Sequence, residues 1–166
     1  MIRTGIGIDL HRFSKKRRLI LGGVEIPGHP GLSGHSDADV LCHAIMDAML
    51  GATGMGDIGV HFPNTDLKWK DARSLDLLAK CSEMLDKHGF DVVNIDSTII
   101  AETPCLSPFI QKMRTNIAEV LNIDVNMISI KATTAEKMGA IGKKEGMVAL
   151  AVVTVKKSKR SKSKKD

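Results

Sequence analysis

Gly5-Ile6-Gly7-Ile8-Asp9-Leu10-His11 alternates small or polar residues with apolar ones over seven positions, the period of two of a β-strand whose neighbouring side chains point to opposite faces. One face carries Ile6, Ile8 and Leu10, and the other carries Asp9 and His11. The stretch is not a dinucleotide-binding fingerprint, because the third glycine is missing and no helix follows at once. An apolar strand face calls for a covering layer, which only the helices further along the chain can supply.

Residues 19–26 are β-rich around Gly22 and Gly23, and Pro27 is expected to close this second strand before a glycine-rich loop, GHPGLSGHSDAD. Over 39–50 the apolar residues Val40, Leu41, Ala44, Ile45, Ala48 and Met49 recur at helical spacing, with Ser36, Asp37 or Asp39 available as N-cap. His43 lies off that stripe, in a polar line with Asp39 and Asp47 at i−4 and i+4. Residues 51–66 hold four glycines and a proline and read as an irregular loop. A helix over 71–88 stops at Gly89, and Ser107-Pro108 reads as N-cap and N1 of another that ends near Leu121. Strands are expected over 92–101, 127–132 and 147–155, with a short helix over 135–138. Together these predict an α/β (α+β) two-layer sandwich: a mixed four-stranded sheet, helices covering one face, and an extra N-terminal hairpin.

A chain of 166 residues with 43% hydrophobic content fits one domain. No stretch reaches the roughly 18–20 apolar residues that a membrane span requires, and no basic-then-apolar leader or transit peptide is evident. The three cysteines are odd in number and far apart, without CxxC spacing, which argues against a disulfide framework or a zinc ribbon and suits a reducing cytoplasm. A bacterial cytoplasm is expected, with a plastid as the other setting. The net charge of +5 is misleading, since residues 156–166 hold seven of the 24 Lys and Arg. Without them the body, residues 1–155, stands at about −1. The tail, KKSKRSKSKKD, lacks apolar residues and is expected to be a solvated, disordered end, which makes nucleic acid an unlikely partner.

Asp9 and His11, two apart on one strand face, bring a carboxylate oxygen and an imidazole nitrogen together. A third ligand from a helix, for which His43 is best placed, would complete the three-protein-ligand set with an open position typical of catalytic zinc. By itself the spacing equally allows a hydrogen-bonded Asp-x-His pair and an unrelated helix histidine. His35 and Ser36 in HSDAD offer phosphate donors, or simply belong to a helix cap. Asp57 and Gly59 suit a polyol, and Thr133, Thr134 and Glu136 in KATTAE suit a phosphate beside a Mg²⁺ ligand, although a plain loop and a capped strand end explain them as well.

Taken in order, GIGIDLHRF, HSDADVLCHAIMDAMLGATGMGDIGVHFPNTD and IKATTAEKMG closely resemble the 2-C-methyl-D-erythritol 2,4-cyclodiphosphate synthase family over about residues 2–155. The resemblance implies a lyase of the non-mevalonate isoprenoid route. Such an enzyme converts 4-diphosphocytidyl-2-C-methyl-D-erythritol 2-phosphate to the cyclodiphosphate and releases cytidine monophosphate. It further implies Asp9, His11 and His43 as ligands of one Zn²⁺ per subunit, Glu136 as ligand of a second metal, Mg²⁺ or Mn²⁺, and His35 and Thr134 as transition-state stabilisers. By the same resemblance Ser36, Asp57, Ile58, Gly59, Phe62 and Asp66 contact the phosphates and methylerythritol. Ala101, Pro104, Cys105, Leu106, Ser107, Ala132 and Thr133 surround the cytidine, and Ala140 and Lys143 lie near the axis of a homotrimer with active sites at its interfaces. The chain departs from the family at Cys105, Leu106 and Ser107, where a Lys-Met-Leu run is frequent, at Ala140, where an aromatic is common, and at Lys143 in place of Arg. Two other functions compete: a phosphodiesterase using a metal-bound water, and a nucleic-acid-binding module working through the tail.

Overall fold

The computed structural model describes residues 1–158. A long first strand, β1 (Ile2–Leu21), turns at Gly22-Gly23 into β2 (Val24–Leu32). Both turn glycines have positive φ, +53° and +69°, as a two-residue hairpin connection of the mirror-image type I′ demands. After the loop at 33–39 come α1 (Val40–Thr53), the single-turn α2 (Ile58–His61), α3 (Ser74–Lys87), β3 (Phe90–Ile100), α4 (Ile110–Leu121), β4 (Ile128–Thr133), the single-turn α5 (Gly139–Gly142) and β5 (Gly146–Lys157). The strand order is β2-β1-β5-β3-β4. All neighbours are antiparallel except β3 and β4, which run parallel and are joined through α4. The expected mixed four-stranded sheet is thus β1-β5-β3-β4, and the hairpin adds β2 as a fifth, edge strand. Pro27 does not end β2, because an edge strand tolerates a residue that cannot donate to the ladder, and irregular pairing between Arg18 and Leu19 accommodates it.

The face of β1 that packs inward is the reverse of the one expected. Gly5 and Gly7 lie directly against α1, where an added Cβ would fall 2.1 Å from the Ala48 carbonyl oxygen and 2.0 Å from that of Ala44. Ile6 and Leu10 are each 66% exposed and Ile8 is 52% exposed. They sit on the outer face of the sheet, paired with Val152, Val148 and Leu150 of β5. Close approach of the helix needs a strand face without side chains, so glycine rather than isoleucine decides which side is interior.

The core lies between the inner sheet face and helices α1, α3 and α4. Leu41, Ile45, Met49, Leu78, Ile95, Ile117, Met147 and Val153 are fully buried in it. Apolar burial at about 25 cal/mol per Å² is the term that holds such layers together. Helix α1 is buried along nearly its whole surface, so its polar line does not face water. Asp39 caps the helix by accepting from Cys42 N, and its other oxygen accepts from Gly23 N at 2.8 Å. One turn on comes His43, and one turn further Asp47 accepts from Ile58 N at 2.8 Å. Each member ties α1 to a different segment.

Three other expectations shift. Helix α4 begins after Phe109, with Ser107-Pro108 in the preceding turn. The short helix lies at 139–142 rather than 135–138, because Glu136 and Lys137 adopt left-handed φ values of +49° and +62° that a right-handed helix cannot contain. Lys156 and Lys157, assigned to the tail, close β5, where Lys156 pairs with Ile2 and Lys157 with Phe90. The expected disorder of the remaining tail falls on residues 159–166, outside the described ones. Among the described residues no helix is long and apolar enough to cross a membrane.

Candidate metal centre and active site

Strand β1 and helix α1 meet where Gly7 lets them touch, and just beyond that contact they bring Asp9, His11 and His43 together. Asp9 Oδ2 lies 2.9 Å from His11 Nε2 and 2.9 Å from His43 Nδ1, and the two nitrogens are 3.3 Å apart. One ligand atom from each residue lies within 4.8 Å of the others. Two imidazole nitrogens and a carboxylate oxygen converging on one point, with the fourth side open to a pocket, could hold a divalent metal ion and leave one position free.

The site's electrostatics fit a cation. Burial pushes the Asp9 carboxyl up, but hydrogen bonds from His11 and His43 outweigh it and hold the group well below the usual carboxylate range. For His43, burial pushes downward, yet the hydrogen bond to Asp9 and the charges of Asp9, Asp39 and Asp37 leave it raised. A proton shared in this cluster and a divalent ion would stabilise the same carboxylate.

The corner opens into a cavity of about 220 Å³ lined also by Gly34, His35, Ser36, Met46, Ile58, Gly59, Phe62, Asn64, Trp69 and Leu77. Arg17 shapes its rim. Its guanidinium donates to the carbonyls of Gly34 and Ser36, on either side of His35, and Asp71 N donates to the His35 carbonyl at 2.9 Å. His35 Nε2 lies 3.4 Å from the Asp66 carbonyl. Asp57 caps α2 by accepting from Val60 N, which presents Ile58 and Gly59 to the cavity. Phe62 meets Trp69 edge-on at 5.0 Å, and the buried Trp69 Nε1 has no hydrogen-bond partner among the described residues.

The other residues singled out from sequence form a separate cluster at the ends of β3 and β4. Ala101 N donates to the Thr133 carbonyl, Thr134 Oγ1 donates to Glu136 Oε1 at 2.6 Å, and Lys137 N reaches Glu102. Ala132, Thr133, Thr134 and Glu136 are exposed. Ala101, Pro104 and Leu106 are buried, so Leu106 offers a ligand only its backbone, while Cys105 and Ser107 are exposed, with Sγ and Oγ 3.4 Å apart. Leu10, Val148, Ile100 and Thr133 lie in one row across the sheet. Three strand spacings of about 4.8 Å therefore separate the two clusters by roughly 14 Å. Ala140 lines a different cavity, beside His11 and Arg12, and Lys143 follows α5.

Arg17 and Ser74 carry no motif of their own, and reading the sequence missed them, while Asp37 reads only as an N-cap candidate within HSDAD. Their signal is purely spatial, since 37 residues separate Asp37 from Ser74.

Known proteins match this arrangement over nearly all of its length. The model of the YgbB family matches residues 2–156. A protein of Pelodictyon phaeoclathratiforme named 2-C-methyl-D-erythritol 2,4-cyclodiphosphate synthase is 54% identical over 155 residues, covering 93% of this chain and 99% of that protein. Among solved structures, the bifunctional IspDF of Campylobacter jejuni superposes with a TM-score of 0.91 at 47% identity, over 95% of this chain and 42% of that one. IspF of Plasmodium falciparum in complex with CDP gives 0.83 at 35%, over 95% and 97% of the two chains. With a family model spanning nearly every described residue and a relative above half identity over 93% of the chain, the chain belongs to the YgbB family, that of the 2-C-methyl-D-erythritol 2,4-cyclodiphosphate synthases.

Proposed function

We propose that Asp9, His11 and His43 hold the Zn²⁺ of a cyclodiphosphate synthase, and that the cavity beside them receives the phosphates and methylerythritol of its substrate. The enzyme is a phosphorus–oxygen lyase that converts 4-diphosphocytidyl-2-C-methyl-D-erythritol 2-phosphate to 2-C-methyl-D-erythritol 2,4-cyclodiphosphate and cytidine monophosphate. An oxygen of the 2-phosphate bonds to the β-phosphorus. The bond from that phosphorus to the bridging oxygen breaks, and its electron pair leaves on the α-phosphate. The nucleophile belongs to the substrate, so the protein needs no reactive Ser or Cys, and its task is to hold a folded polyanion in place.

The observation that carries this reading is the three-ligand corner opening onto the phosphate-donor loop of His35 and Ser36. A divalent ion there would supply Lewis-acid polarisation of the β-phosphate and screen the repulsion between phosphates. His35 and Thr134 would donate to the oxygens where charge develops. Asp57, Gly59 and Asp66 would bind the polyol, and the segment 101–107 with Ala132 and Thr133 the cytidine. Glu136, whose carboxylate meets only Thr134 among the described side chains, suits Mg²⁺ or Mn²⁺, ions commonly bound through one protein carboxylate plus substrate phosphates.

A homotrimer with interfacial sites is part of the same proposal. At about 220 Å³ the cavity is smaller than the range of about 300–1,000 Å³ usual for a ligand of this size. The Thr133–Glu136 cluster is too far away to serve the same corner within one chain. The exposed row of Ile6, Ile8, Leu10 and Val152 offers the apolar surface through which a second copy could bring its own cluster to this cavity. Unpaired Cys42, Cys81 and Cys105 suit a cytoplasmic setting.

Incubation of the metal-loaded protein with the cytidyl substrate, followed by ³¹P NMR, should give the cyclic diphosphate and cytidine monophosphate, and chelation should abolish both. A linear diphosphate product would refute the cyclase reading and point to hydrolysis.

A further inference from the structure

The second ring nitrogen of His43 is enclosed by hydroxyls. Nε2 lies 3.1 Å from Ser36 Oγ and 3.1 Å from Ser74 Oγ, and both serines are buried. Ser74, the first residue of α3, has its hydroxyl bonded to Asp37 Oδ1, while Asp37 Oδ2 accepts from Ser74 N at 3.0 Å. An ionised carboxylate only accepts, so the single hydroxyl proton of Ser74 goes to Asp37 and its lone pair faces His43. Ser36 Oγ in turn accepts from Ala38 N.

His43 therefore stands between two pulls. Asp9, 2.9 Å from Nδ1, draws a proton to the nitrogen that a metal would occupy. The Asp37–Ser74 pair draws one to Nε2 and leaves the Nδ1 lone pair for the metal.

We propose that Asp37 and Ser74 are a positioning pair that holds His43 with Nε2–H toward Ser74 and Nδ1 toward the metal, setting metal affinity without touching the ion. The inference rests on the metal reading above. Partners of this kind, in which a ligating histidine donates its other N–H onward, typically change metal affinity about 10–100-fold when lost.

Asp37→Asn tests the pair with almost no change of shape. Neither orientation of the amide can accept from both the hydroxyl and the N–H of Ser74, so the pull on Nε2 is lost although the side chain still fits. Zinc affinity of the full chain, measured by competition with a chromophoric chelator, should fall about 10–100-fold in Asp37→Asn and in Ser74→Ala. In the zinc-loaded wild type the His43 Nε2–H should appear by NMR as a slowly exchanging proton. In Asp37→Asn it should exchange fast while the backbone amide spectrum stays in place. Unchanged zinc affinity in a folded Asp37→Asn, or a fast-exchanging Nε2–H in the zinc-loaded wild type, would overturn the inference. A wild type that binds no zinc would instead sink the metal reading itself, so the two failures are distinguishable.

Discussion

Gly7→Ala probes the contact on which the metal corner is built. An alanine Cβ there would lie 2.0 Å from the Ala44 carbonyl oxygen and 2.7 Å from Ala48 N, and Cβ atoms essentially never come within 3.0 Å of such neighbours. Both obstacles are helix backbone, which cannot swing aside as a side chain can, so α1 must lift from β1 by about 1 Å. His43 adjoins Ala44 and Asp9 stands two residues from Gly7, so that lift opens the 2.9 Å contact between His43 Nδ1 and Asp9 Oδ2. Overpacking of this kind costs about 1–3 kcal/mol. In a domain of this size each kcal/mol lowers the melting midpoint by roughly 2–4 °C.

Gly5→Ala is the matched control. Its Cβ would meet Ala48 O at 2.1 Å and Ala52 N at 2.5 Å, a clash of the same severity but more than a turn of α1 beyond His43. Thermal unfolding followed by circular dichroism should show similar losses of stability in the two variants, whereas zinc competition should show a much larger loss of affinity in Gly7→Ala. A Gly7→Ala protein with wild-type melting and wild-type zinc affinity would refute the close-contact argument. Equal zinc losses in both variants would show that affinity follows overall stability rather than the geometry of the corner.

Two further expectations follow from the surface. Native protein treated with an aromatic disulfide reagent should release one equivalent rapidly, from exposed Cys105, whose thiol is lowered below its usual value by its hydrogen bond with Ser107. Cys42 and Cys81 are buried, Cys81 being pushed up to about 12 by burial, and should react only after denaturation, because the thiolate is the reactive form; three fast thiols would contradict the fold. Ile8→Asp places a charge on the outer sheet face, where a lone chain is solvated but an assembled one would bury it at a cost of several kcal/mol. By light scattering the variant should be monomeric, still bind zinc and release no cytidine monophosphate, and an unchanged mass would remove this face from the assembly.

The period of two at residues 5–11 identifies β1 from sequence, yet it points to the wrong interior. Alternation marks an apolar face, and the usual rule gives that face to the interior. Here the helix takes the glycine face. Similarly, the i, i+2 spacing of Asp9 and His11 is legible because a strand enforces it, whereas joining His43 to them required the family resemblance. Spacing along α1 says nothing about which strand the helix crosses. Ser74 and Arg17 were out of reach for the same reason, being ordinary polar residues whose contacts join distant segments. The left-handed backbone at Glu136 and Lys137 explains the displaced fifth helix, since neither residue type signals such a conformation as glycine would.

If copies of the chain meet on the outer face of β1, its two faces bind assembly and chemistry into one constraint. Asp9 and His11 project inward at the positions that alternate with Ile8 and Leu10, so a register slip of one residue would remove the metal ligands and the apolar outer row together. With copies meeting there, a mutation on the outer face would silence the corner without disturbing it. If Thr133, Thr134 and Glu136 of a neighbouring copy complete each cavity, loss of assembly leaves three intact ligands facing half a substrate site. The result would be a protein that holds zinc with nearly full affinity and performs no cyclisation. That separation between metal binding and turnover is what distinguishes an interfacial site from one contained within a single chain, where metal affinity and activity would be lost through the same local damage.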